Sequence, residues 1–365
     1  GSGIVLPSQG QVKLIIGDGE ELAEGDYPVL SVTGTLPAEY SVRFALQNPA
    51  AGNAMFYSTD SKTLRLAVGN LIHEGPSTWI GTAGDGKLST AANWLGGKIP
   101  SSGEDVFIDA SVSSTINNDL VDVSFNSTTI KASSAPVTVM GTEIASVAAI
   151  TNLSTSSAVT FNVPVTFSDA YKVVSNGGAV KFPGGATATY PDESNRTTSS
   201  TAATRTLDGN FTFTEDWTVG SVGNDNYPWI VATGATVRGK AFTGTEERQM
   251  FQIDEGGYAC FTTVHVGKTK GNISVNGTLV ATESISVVVA SQHSNFGRSG
   301  DKGTVIAPVI KKVNGYSVYC HIPNFIVGQG GIGAAHKDYV WQFEQDTLIT
   351  ASDDFEFLGV YKSAG

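Results

Sequence analysis

Gly234-Ala235-Thr236-Val237, Gly257-Tyr258-Ala259-Cys260, Gly277-Thr278-Leu279-Val280 and Gly303-Thr304-Val305-Ile306 share one pattern, a turn glycine followed by small and apolar residues in alternation. The four glycines stand 23, 20 and 26 residues apart. Gly178-Ala179-Val180 and Gly209-Asn210-Phe211 extend the series upstream with looser spacing. A period of roughly 20–30 residues signals stacked structural units rather than a sandwich. One coil of a parallel β-helix needs about three short strands and their turns, which takes about that many residues. Uneven spacing then reflects insertions held in loops on one side of the stack. A leucine-rich repeat has a similar period but needs a leucine framework, which is missing. The expected fold is all-β, a right-handed parallel β-helix (solenoid), with a β-sandwich or jelly roll as the alternative. Its core is predicted to contain Val180, Phe182, Phe211, Phe213, Val237, Phe251, Cys260, Val275, Leu279, Val305, Val309 and Ile326.

Composition agrees with that class. Of 365 residues, 40 % are hydrophobic and only 15 % charged, so the chain is too apolar and too weakly charged for disorder. Abundant glycine (42 residues) with Thr, Ser, Val and Ala suits short strands and tight turns, not helices. The net charge of −12 repels phosphate backbones and anionic headgroups, and no Lys/Arg cluster reverses it locally. Nucleic acid and membrane-surface binding are therefore not expected. No apolar run approaches the ~20 residues that span a bilayer, so no direct membrane insertion is expected either. No charged and apolar leader pattern opens the chain. Cys260 and Cys320 are too few for a disulfide scaffold or a thiolate metal site. Both are expected to be free and buried, two to three coils apart and about 10–14 Å from one another at the usual strand spacing.

Two regions follow from the pattern. Residues 1–72 contain five short strands, predicted at Val12–Ile16, Tyr27–Val32, Ser41–Leu46, Ala54–Ser58 and Thr63–Val68, separated by turns such as Gly17-Asp18-Gly19-Glu20. Residues 73–365 form the β-helix module. It opens on Trp79-Ile80-Gly81, Gly84-Asp85-Gly86-Lys87 and Ala91-Ala92-Asn93-Trp94, with Pro100, Gly103 and Asp105 following. Two tryptophans around a Gly-Asp-Gly turn predict an aromatic cap over 79–108, which would cover the core and strand edges that an open solenoid end exposes.

That opening resembles the start of modules in large autotransporter-like bacterial surface proteins, whose form is a tryptophan, glycines and a Trp-Ser-Thr-Ala-Ala-Asn-Trp stretch. Leu88 stands where that form has its middle tryptophan. Residues 11–69 resemble the tail of a preceding module, ending in Lys62-Thr63-Leu64-Arg65-Leu66. Such chains carry autotransporter-associated β-strand repeats and resemble pertactin-like passengers. The resemblance covers about 90 residues and implies a β-helix displayed extracellularly or at the outer-membrane surface, as part of a longer chain. It carries no catalytic residues over. What it implies is a non-catalytic structural or adhesive module whose partners are host or matrix glycans or proteins.

Trp217, Tyr227 and Trp229 flank a loop containing Asn224-Asp225-Asn226. Exposed aromatics beside amides and carboxylates suit sugar rings, because a ring face stacks and hydroxyls hydrogen-bond. Trp217, Asp225, Tyr227 and Trp229 are therefore one candidate ligand site, with strand-borne tryptophans packing inward as the plainer reading. The run Ser291–Lys302 holds His293, Arg298 and Asp301, which could bind an acidic sugar or serve as acid and base, and which also suit a solvated loop. The rival function is a polysaccharide lyase or glycoside hydrolase. Adjacent carboxylates such as Asp254/Glu255, Glu215/Asp216 and Asp353/Asp354 point to opposite strand faces and suit neither catalytic spacing. The five histidines lack metal-ligand spacing, and Gly84-Asp85-Gly86 lacks the remainder of a calcium loop, so no metal or cofactor is expected.

Overall fold

The computed structural model describes residues 12–14, 25–33, 44–46, 54–57, 62–68, 76–110, 114–132, 135–196, 201–220, 227–245, 249–267, 272–288, 294–313, 318–334, 340–343, 346–351, 357–358 and 360–363. The chain is all-β with 6 % helix, and residues 104–350 wind into a parallel β-helix of about 9 turns. Among the described residues, every strand pairing from Glu104–Ala110 onward joins one coil to another in parallel, which excludes the sandwich alternative for this region. Each coil advances the chain by 20 to 27 residues, as from Tyr258 to Thr278 and from Lys181 to Asp208.

A coil contains a short strand, a tight corner and a long strand that bends. Asn272–Val275 leads into Thr278–Val288, and the register of the long strands shifts near the same place in successive coils, between Phe261 and Thr263, Val280 and Ile285, and Ala307 and Val309. In earlier coils the bend separates two strands, as with Val159–Phe161 and Val165–Phe167. Three strand segments per turn result.

The glycine period has a direct steric cause. Gly257, Gly277 and Gly303 stack at the tight corner, where Thr278 N donates to Gly257 O at 2.9 Å and Thr304 N to Gly277 O at 2.9 Å. A Cβ on Gly277 would lie 2.2 Å from Gly257 O, and one on Gly303 2.4 Å from Gly277 O. These positions require glycine for backbone approach between coils, without any left-handed conformation.

The interior is filled by apolar side chains, and its aromatic rings contact one another from coil to coil. Phe161 lies 5.2 Å from Phe182 with nearly parallel planes, and Trp217 sits within 5.1–5.5 Å of Phe213, Phe242 and Phe251. Val180, Phe182, Phe211, Phe213, Val237, Phe251, Val275, Leu279 and Val305 are buried as expected. Cys260, Val309 and Ile326 are not. Ala259 and Phe261 take the inward positions around Cys260, and Phe325 and Val327 those around Ile326, which is 38 % exposed. At Val309 the register shift interrupts alternation, so Ala307 and Ile310 face in. Both cysteines are free; Cys320 is buried, which pushes its thiol up to about 12, and Cys260 is half-buried.

Tryptophans 79 and 94 close the N-terminal end. They pair across an antiparallel bridge, are fully buried, and donate their indole N–H groups to Lys87 O (3.1 Å) and Leu88 O (2.6 Å). Leu88 is buried in the same core as both indoles. Asp85 locks the turn by accepting from Thr90 Oγ1, Lys87 N and Asn93 Nδ2, and these bonds hold its carboxyl at about 2. The turn joins the first coil through Leu88 N to Asn117 O and Asn117 N to Gly86 O.

The five predicted strands of the N-terminal region are present as Val12–Leu14, Gly25–Ser31, Phe44–Leu46, Ala54–Tyr57 and Thr63–Val68. Thr63–Val68 pairs antiparallel with two neighbours and buries Phe56, Leu64, Leu66 and Val68 in a small core of its own.

Candidate functional site

The coil corners differ in kind. At the glycine corner the chain turns within a few residues, as at 254–257 and 276–277. Connections leaving the far end of the long strands vary more, and one stands out. The step from Lys181 to Asp208 is the longest between described coils from residue 104 onward, and it carries two 3₁₀ turns, Glu193–Arg196 and Ala202–Arg205.

Arg196 is 3 % exposed and ties this excursion to the next one. Its Nε donates to Tyr227 O at 2.7 Å, and its Nη1 to Gly220 O at 3.0 Å and Glu193 Oε2 at 2.5 Å. The planar guanidinium suits this task because its donors are fixed in direction and stay charged. The other Glu193 oxygen accepts Trp229 Nε1 at 2.9 Å, so the core tryptophan anchors the same network. Arg205 lies beside it, with its guanidinium carbon 4.5 Å from the Tyr227 ring centroid. Its Nε and Nη1 are shut from solvent and have no acceptor among the described residues. Burial, and with it the like charge of Arg196, lowers the Arg205 pKa from the usual arginine value.

Of the residues singled out in the sequence, the structure brings Trp217 and Trp229 together in the core, with ring centroids 5.9 Å apart, and leaves Tyr227 outside it. Trp217 and Trp229 are 1 % and 0 % exposed, so neither ring face is open to a sugar. Each shares its strand face with an inward valine, Val219 and Val231. Tyr227 is half-buried beneath Arg205. Asp225 and His293 lie outside the described residues. Arg298 is exposed, but Asp301 is buried and structural: it accepts Ser274 Oγ (2.8 Å), Val275 N (2.7 Å) and Arg298 N (2.8 Å), latching its turn to the preceding coil. Glu193, Arg196 and Arg205 were not anticipated. Their one sequence signal is the long insertion, in which they are charges set in a Thr/Ser-rich stretch.

A second polar arrangement lies on the outward face of the long strands. His265 Nδ1 is 2.8 Å from Ser286 Oγ on the next coil, and Lys311 follows Ser286 in register. Burial lowers the His265 pKa. Compared with family models, curated proteins and solved structures, the chain matches none of them.

Proposed function

We propose that this chain is a non-catalytic structural and adhesive module of a bacterial cell-surface or secreted protein, in which stacked coils form a rod and lateral excursions contact glycans. The observation that carries this reading is the polar cluster of Glu193, Arg196, Arg205 and Tyr227. It joins the long excursion between Lys181 and Asp208 to the one that follows and is anchored to the solenoid core through Trp229. The resemblance of residues 79–105 to the openings of surface-protein modules supports the surface location. A polysaccharide lyase or hydrolase is the second reading, favoured by the His265–Ser286 pair, because an imidazole held in place by a hydroxyl can serve as the general base that takes a proton in either reaction.

A glycan array probed with the labelled protein separates the two. The adhesive reading expects binding without turnover, and binding that weakens on Tyr227→Ala. Ultraviolet-absorbing unsaturated products or new reducing ends from pectins, alginates or glycosaminoglycans, lost on His265→Ala, would establish the enzyme instead. No binding to any glycan would remove the adhesive reading.

A further inference from the structure

We propose that a flat, uncharged face of the β-helix binds a second copy of this chain, giving a two-fold dimer with antiparallel solenoid axes. The face follows the glycine corners. Its strand segments, 258–262, 278–282, 304–308, 324–328 and 348–350, contain no charged residue. They stack in parallel register, so that Cys260, Val280, Ile306, Ile326 and Thr350 form one outward column. Threonines flank this column on both sides, Thr278 and Thr304 toward the corners, Thr262 and Thr282 away from them. Ile326 and Leu348 are 38 % and 64 % exposed, so apolar side chains of this face reach solvent. None of this depends on glycan contact.

Charge selects the partner. Two copies that each carry −12 repel one another where charged faces approach, and this face lets them meet without like charges in contact. Period selects it too: ridges ~4.8 Å apart interdigitate with ridges of equal spacing, which a second copy supplies by construction. At ~4.8 Å per coil and ~6.8 Å between outward side chains, the five coils offer about 24 by 20 Å. Two such faces bury about 1,000 Å², the lower limit for a specific contact, so the dimer is weak. The preceding coil fixes the orientation. Its Arg238 is exposed at the edge of the face, with its guanidinium carbon 5.5 Å from the Tyr258 ring centroid. Parallel axes would set Arg238 against its own copy, at a repulsive cost. Antiparallel axes send the two arginines to opposite ends and place Ile306, in the central coil, opposite itself.

Sedimentation velocity of the chain, from about 10 μM to about 1 mM, is expected to show reversible monomer–dimer exchange. Raising salt from about 50 mM to about 500 mM should strengthen the dimer, because it screens the net repulsion and leaves apolar contact intact. Ile306→Lys and Ile326→Lys should each weaken it at least about tenfold, the first by setting two ammonium groups against each other. Both side chains point outward, and Ile326→Lys keeps the measurement open should Ile306→Lys fail to fold. Thr212→Lys, in the same column but beyond the face, is the control and should change nothing. A spin label on Thr212→Cys in a Cys260→Ser background should lie about 40 Å from its mate in the antiparallel dimer, against about 10–20 Å in a parallel one. A monomer throughout the range, a dimer indifferent to both isoleucine substitutions, or the short label distance overturns the proposal. If the chain stays monomeric and Ile326→Lys instead abolishes binding of a neutral glycan, the face is a glycan surface; the proposal then falls while the adhesive reading stands.

Discussion

Trp217→Ala is expected to destabilise the solenoid by about 3–5 kcal/mol, the range for removing a large aromatic from a packed core. The ring is 1 % exposed and contacts Phe213 of its own coil and Phe242 and Phe251 of the next, so its loss leaves a cavity that rigid strands cannot close. A shift in the urea midpoint measures the effect. Trp217→Phe should lose less, about 1–2 kcal/mol, because the indole Nε1 has no hydrogen-bond partner among the described residues and only volume is removed. Trp229→Phe should do more harm than Trp217→Phe, since it leaves a Glu193 oxygen without the donor it has at 2.9 Å. A midpoint unchanged by Trp217→Ala would place the ring at the surface, as a sugar platform requires.

Gly277→Ala is expected to cost about 3 kcal/mol, the upper end for forcing a methyl group into filled space. The added carbon would stand 2.2 Å from Gly257 O and 2.5 Å from Asp254 O, and neither is a side chain that can swing aside. Relief requires the coils to part at the corner where Thr278 N bonds Gly257 O. Gly220→Ala is the control: nothing lies within 4 Å of its added carbon, and its backbone needs no left-handed conformation. It should be neutral or slightly stabilising. Equal effects of the two substitutions would dissociate the glycine period from coil contact.

The glycine series was legible because it answers to the backbone. Where Gly277 and Gly303 rest on a neighbouring coil's carbonyl, a Cβ does not fit, and the period reads out the coil length. Inward phase was harder. Outward Val280, Ile306 and Ile326 are as apolar as their inward neighbours, so hydrophobicity alone does not choose the face, and a one-residue error moves a side chain from core to solvent. Ile326 and Cys260 were misplaced this way, and the bend near Pro308 misplaced Val309.

The candidate site was less legible. Aromatics next to Asn224-Asp225-Asn226 have the composition of a sugar platform, but Trp217-Thr218-Val219 and Trp229-Ile230-Val231 put each tryptophan in phase with an inward valine. That parity was the overlooked signal. Arg196 meets Gly220 and Tyr227 across 24 and 31 residues, a proximity created by stacking and invisible to local motif reading.

Stacking itself is tested by distances down one outward column. Thr212, Arg238, Cys260, Val280, Ile306 and Ile326 follow one another in register from coil to coil. Paired spin labels in a Cys260→Ser background, measured by double electron–electron resonance, should give backbone separations set by the number of coils crossed. At ~4.8 Å per strand step, positions 212 and 326 should lie about 24 Å apart and positions 238 and 306 about 14 Å apart. Separations that do not grow in proportion to the steps crossed would contradict the parallel β-helix and every placement built on it.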